Sequence, residues 1–168
     1  MPVSIDPVSP KTQSDDIAVI AAGLHAPSVK KRRASAADLG RLANPEAVPY
    51  LAAALSDPHP GVRCEVVLAL GRLDDSSGVP ALVQALDDAE PEVRVASLAA
   101  LGKIRDPRSS MALIPLLKDK EIEVRIGAAQ VLGRLGDRRV VLPLKYLLDD
   151  PFSEVREAAE TALIRLKR

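Results

Sequence analysis

The fourteen-residue stretch VRCEVVLALGRLDD (Val62–Asp75) returns 31 residues later as VRVASLAALGKIRD (Val93–Asp106), and again as VRIGAAQVLGRLGD (Val124–Asp137). A fixed period between 20 and 50 residues restricts a chain to architectures in which like units stack, because one such unit cannot bury its apolar face alone. The period holds column by column. Arginine recurs at Arg32, Arg63, Arg94, Arg125 and Arg156, and leucine at Leu39, Leu70, Leu101, Leu132 and Leu163. Glycine recurs at Gly40, Gly71, Gly102 and Gly133, with Ile164 in the fifth place. A second leucine set (Leu51, Leu82, Leu113, Leu144) is followed four places on by Leu55, Leu86, Leu117 and Leu148. No insertion breaks the count.

Within a unit the apolar spacing is helical. Val62, Val66, Ala69, Leu70 and Leu73 fall on one face of a first helix, A, and Val79, Leu82, Val83 and Leu86 on one face of a shorter second helix, B. Asn44, Asp75, Asp106 and Asp137 stand where B would need an N-cap. Asp57, Asp88, Asp119 and Asp150 stand before each A helix, often with proline close by, which a first helical turn accommodates. The unit therefore reads as a helical hairpin, A then B. Ile17, Ile20 and Leu24 extend the register backwards and predict a lone B helix over 15–24, while EVREAAETALIRLKR predicts a lone A helix at the other end. The expected fold is all-α: an α-solenoid over residues 15–168, with ten helices and a flexible tail over 1–14.

The words DAEPEVRVASLAALGKIRDPRSSMALIPLLKD and their siblings resemble the HEAT-like repeats, in particular the short form named after phycobilin lyase subunits, over about nine tenths of the chain. The resemblance implies a stacked-hairpin superhelix whose B helices line a concave surface. It also implies one alternative function, a lyase-like subunit or chaperone that binds phycobiliprotein, bilin or a lyase partner subunit.

Two of the columns imitate sites. Aspartate and arginine six apart, as in Asp88 and Arg94, would form a ladder along the turns. Catalysis needs one asymmetric constellation rather than five copies. The ladder is therefore expected to be structural, each aspartate capping the following A helix and each arginine bridging carboxylates of its own and neighbouring repeats. A glycine in the last turn of helix A costs about 1 kcal/mol against alanine, so close approach of the next hairpin must require it. Where no hairpin follows, the column becomes Ile164.

Little catalytic chemistry is on offer. The sequence contains no phosphate-binding loop, no serine-hydrolase elbow and no zincin motif. His25, His59 and Cys64 lack metal-ligand spacing. We therefore expect no catalytic residue, metal or cofactor. Lys30–Arg33 is a dense basic run, but 23 basic residues balance 23 acidic ones and three aromatics are too few to stack bases, which argues against nucleic acid. One cysteine, no secretory signal and no long apolar run favour a cytoplasmic location without a membrane span.

The face that varies is the B-helix stripe opposite the leucines. It carries Glu46, Tyr50 and Ala53, then Ser77, Ala81 and Gln84, then Arg108, Ala112 and Pro115, then Arg139, Pro143 and Tyr146. It runs from acidic to basic, with residue types common at binding hot spots. The expected function is a protein–protein scaffold that binds a partner protein through Glu46, Tyr50, Gln84, Arg108, Arg139 and Tyr146. A second contact is expected at the C-terminal helix, where Leu163, Ile164 and Leu166, with Ala162, would form a half-covered apolar strip.

Overall fold

In the computed structural model, which describes residues 10–167 and side chains from residue 16 onward, ten α-helices follow one another and no strand occurs among the described residues. They are α1 (Pro10–Ala22), α2 (Val29–Arg41), α3 (Val48–Ala53), α4 (Pro60–Leu73), α5 (Val79–Gln84), α6 (Pro91–Ile104), α7 (Ser110–Leu113), α8 (Ile122–Leu135), α9 (Val141–Tyr146) and α10 (Ser153–Lys167). The even-numbered helices are the A helices and the odd-numbered ones the B helices. The first B helix begins at Pro10 instead of the expected Asp15, so residues 10–14 belong to α1. Residues 1–9 of the expected tail lie outside the described residues.

The A helices form the tightly packed layer: α2 on α4, α4 on α6, α6 on α8 and α8 on α10. Their predicted faces are buried, with Val62, Val66 and Ala69 fully enclosed and Leu70 and Leu73 nearly so. The glycine column sets this approach. A Cβ built at Gly40 would lie 2.7 Å from the Ala69 Cα, and one at Gly133 would lie 2.7 Å from the Ala162 Cα. Gly71 and Gly102 meet Ala100 and Val131 in the same way, at 2.9 and 3.0 Å. Ile164, with no helix stacked beyond it among the described residues, is 55% exposed.

Each B helix packs on the A helix that follows it, α3 on α4, α5 on α6, α7 on α8 and α9 on α10. The tight hairpin is thus B then A, which corrects the grouping expected from sequence and makes five complete hairpins. It also changes the end of the chain. The C-terminal helix α10 is not alone but lies against both α9 and α8. Ala162 and Leu166 are consequently buried and Leu163 is half-buried, leaving Ile164 as the exposed member of the expected strip.

B helices are short because 3₁₀ turns flank them, at Ser76–Gly78 and Ala85–Asp87 around α5 for example. Pro49 and Pro80 sit in the first turn of α3 and α5, where a missing N–H needs no partner. Pro115 falls later in its repeat, and there the α-helix stops at Leu113 and continues as a 3₁₀ turn over Ile114–Lys118. Asn44, Asp75, Asp106 and Asp137 each accept a backbone N–H two residues on, as expected for caps at the start of the B segment.

Candidate functional site

The turn from each B helix to its A helix carries the ladder. Arg63 donates through Nε and Nη2 to the two carboxylate oxygens of Asp88, at 2.6 and 2.8 Å, and through Nη1 to the backbone carbonyl of Asp57 at 2.9 Å. Arg32, Arg94 and Arg125 repeat this with Asp57, Asp119 and Asp150. Each arginine therefore reaches the next repeat's carboxylate and its own turn's carbonyls, never its own carboxylate. Planar two-point pairing of this kind fixes geometry as well as contributing energy. The aspartates do not cap the A helix directly. Asp57 accepts the N–H of His59, and it is His59 that sits at the N-cap of α4, its Nδ1 accepting from the Gly61 N–H. Glu90 and Glu121 hold the equivalent position before α6 and α8. The Arg63 guanidinium holds the Asp88 carboxyl below the usual carboxylate range, against the upward push of burial. At Asp57, Asp119 and Asp150 burial is the larger single influence, yet the arginine and a backbone N–H together outweigh it and the result is again downward.

Arg156 is the exception. Its Nη1 donates to the carbonyls of Asp150 and Pro151, and among the described residues no carboxylate pairs with it.

The B-helix stripe presents the expected residues unequally. Glu46, Tyr50, Gln84, Arg108, Arg139 and Tyr146 are all exposed. Arg108, however, folds back on Asp106, and Arg139 on Asp137, each through Nε and Nη2. The carboxylate of Asp137 is held down to about 2 by that guanidinium and by the Arg139 N–H. Both arginines of the stripe's basic half are thus paired with their own cap aspartates while remaining exposed. Arg108 and Arg139 act as braces on their own caps.

The stripe ends in a groove of about 690 Å³, bounded by the segment after α7, by α9 and by the turn into α10. Its apolar walls are Ile114, Leu117, Leu142, Tyr146, Leu147 and Phe152. Leu142, Tyr146 and Phe152 are 58%, 69% and 44% exposed. The Arg125 guanidinium, already bound to Asp150, stands 5.6 Å from the centre of the Phe152 ring and backs it. Two of the chain's three aromatics therefore meet here.

Of these residues only Tyr146 belongs to the stripe read from sequence. Leu142 and Phe152 were legible by another signal, departure from the period at an exposed position. The column of Leu142 reads Pro49, Pro80, Met111 and Leu142, and that of Phe152 reads Ser28, His59, Glu90, Glu121 and Phe152. Tyr50 lies three repeats from the groove. Cys64 lines a separate shallow pocket with Glu65, Glu90 and Glu92, and burial followed by the Glu65 charge pushes its thiol upward, away from reactivity. No metal-binding group of three acidic, histidine or cysteine side chains occurs among the described residues, and no described helix is long and apolar enough to cross a membrane.

Residues 17–90 and 79–164 match the sequence profile of HEAT repeats. Among solved structures, the chain superposes on the complex of CpcE and CpcF of phycocyanin lyase from Nostoc sp. PCC7120 with a TM-score of 0.75. That match has 24% identity over 99% of this chain and 68% of the other. An engineered protein matches with a TM-score of 0.68 and 23% identity, over 90% of this chain and 79% of its own. A designed armadillo repeat protein in complex with the peptide (KR)4 gives 0.65 and 19%, over 90% and 82%. At these identities the likeness is one of fold. No curated protein matches the chain in sequence.

Proposed function

The chain belongs to the HEAT-repeat family, and on that premise we propose that it is a rigid scaffold that binds a partner protein through its B-helix face, with the binding centred on the groove at Leu142, Tyr146 and Phe152. One observation carries this reading. Tyr146 and Phe152 stand at exposed positions that hold Pro115 and Glu121 one repeat earlier, and with Leu142, whose column already carries Met111, they line a common cavity. Exposed aromatics packed around a concavity suit an anchor from a protein partner. Glu46, Tyr50 and Gln84, farther along the same face, would extend the contact toward the N-terminal end. The ladder has the opposite character, repeated and satisfied, and serves the scaffold.

The test uses a displayed library of helical and extended peptides selected on the wild-type chain. Tyr146→Ser combined with Phe152→Ser should weaken the selected binders at least tenfold with unchanged circular dichroism. Leu68→Ser, on an exposed A-helix position, should leave them alone. Equal losses from both changes would move the site off the groove.

A second reading has one specific support, the TM-score of 0.75 to the CpcE and CpcF complex of phycocyanin lyase. On that reading the partner is a phycobiliprotein or a lyase partner subunit, and the groove handles bilin. Added bilin should then give a bound, coloured species that the same double substitution abolishes. A colourless protein after gel filtration would leave the scaffold reading alone.

A further inference from the structure

We propose that the groove takes an amphipathic helix of the partner protein, with an acidic side chain before its apolar face and a basic one after it. The charge column Asp87, Lys118 and Asp149 sets the direction and register of that helix. The inference rests on the groove reading above and supplies the partner's side of it. Five charged side chains line the groove: Lys118, Asp119, Arg125, Asp149 and Asp150. Three are held in the ladder, Asp119 by Arg94 and Asp150 by Arg125. Lys118 and Asp149 are exposed, and among the described residues neither side chain pairs with another. They belong to one column of the repeat, Ser56, Asp87, Lys118 and Asp149, and so occupy matching places on adjacent hairpins. Asp87 and Lys118 are exposed inside the stack, as are Gln84 and Pro115 in the column of Tyr146, so this rim is a property of the repeat and not of a chain end.

Matching places on packed hairpins lie about 8–10 Å apart. Two turns of α-helix rise about 10.5 Å over seven residues and return to the same face. One helix lying across both hairpins can therefore set a carboxylate over Lys118 and a base over Asp149 while the side chains between them enter the groove. At about 690 Å³ the groove has room for several side chains at once. A helix face supplies them within two turns, whereas an extended segment of the same reach turns only alternate side chains inward. A symmetric pair of copies would oppose two concave grooves and fill neither. The occupant's own dipole favours acid at its N-terminal end and base at its C-terminal end, so it runs from the α7 side to the α9 side. The column also refuses a slipped register. One interval earlier the order is reversed, Asp87 then Lys118, and the same helix shifted by one repeat would set acid against acid and base against base.

The test selects a displayed library of helical peptides on the full wild-type chain. The binders should carry the order acid, apolar face, base. In the tightest of them, exchanging the acid for lysine should weaken binding about fivefold, and Lys118→Glu should restore it. Exchanging the base for glutamate should cost as much, and Asp149→Lys should restore that. Asp87→Lys should leave the affinity unchanged, since the helix sits one interval on. Binders without the charge order, or exchanges that neither variant restores, overturn the proposal. So does self-association of the unmodified chain that Lys118→Glu abolishes, which would give the groove to a second copy. The groove reading is separable, because it fails only if the binders ignore Tyr146→Ser with Phe152→Ser, a variant that leaves Lys118 and Asp149 in place.

Discussion

Two intervals of the molecule share the same columns and differ in what they expose. Between the third and fourth hairpins, Leu86, Asp88, Arg94, Leu116 and Asp119 form a shallow depression whose rim is Asp87, Ala89, Pro115 and Lys120. One repeat on, Leu117, Asp119, Arg125, Leu147 and Asp150 take the corresponding places, but the rim gains Tyr146 for Pro115 and Phe152 for Glu121. The buried columns are unchanged because every interval must stack. Only the rim is free to vary, and there a solvated edge has become an apolar groove. In a periodic molecule the period reports structure, and its breaks at the surface report function.

The largest effect expected from perturbing the shared columns comes from the glycines. Gly133→Val would drive a side chain into the Ala162 backbone and should destabilise by about 3 kcal/mol. Ile164→Gly, in the same column on α10 where the side chain is exposed, should change stability by less than about 1 kcal/mol. Chemical denaturation of the pair measures the contrast directly. Equal effects would mean that the glycines are not packing devices.

The ladder gives a smaller contrast. Arg94→Ala strands a half-buried Asp119 and should cost about 2 kcal/mol. Arg156→Ala strands no carboxylate and should cost about 0.5 kcal/mol. The ladder also predicts an acid limit. Asp57, Asp88, Asp119 and Asp150 titrate below the ordinary 3.8 in the folded chain, so the stability they contribute is complete above about pH 4. It is lost as the pH falls from there through their folded-state values. The thermal midpoint should therefore drop steeply below pH 4, and less steeply in Arg94→Ala.

A stabilising change is expected where the chain breaks its own column inside the core. Ser110 stands where Val48, Val79 and Val141 stand in the other repeats; it is fully enclosed, and its hydroxyl forms no well-shaped hydrogen bond, with only a weak pull on the Asp137 carboxylate nearby. Ser110→Val should raise stability by about 1 kcal/mol in denaturant titrations.

The architecture was almost wholly legible in the sequence, because a 31-residue period and a 3.6-residue one both leave their mark on apolar positions. Helix pairing was not. Sequence shows that A and B alternate, but which neighbour a short B helix packs on depends on the turn that the Arg–Asp pairs brace. That error made α10 look half covered and put Leu166 and Ala162 in the half-covered strip, where the structure buries them. The pairing of the stripe's arginines was not read from the sequence, for a local reason. Arg108 and Arg139 lie two residues after their cap aspartates, close enough for the side chains to return to them. Reversing either charge to glutamate would set two carboxylates side by side and injure the cap, so such a variant reports on the fold before it reports on binding. Tyr146 was found as a lone hot-spot type, while Leu142 and Phe152 needed the column comparison.

The central claim is that binding is centred on the last interval rather than on the earlier ones. It is tested most directly by grafting. Pro115→Tyr with Glu121→Phe would give the preceding interval the rim residues of the groove, while Tyr146→Pro with Phe152→Glu would remove them from the last. Binders selected on the wild type should be measured against both variants by calorimetry. The account predicts at least a tenfold loss in the second variant and unchanged affinity, with a second weaker site, in the first. Undiminished binding after the groove is erased, with helical content intact, would contradict it.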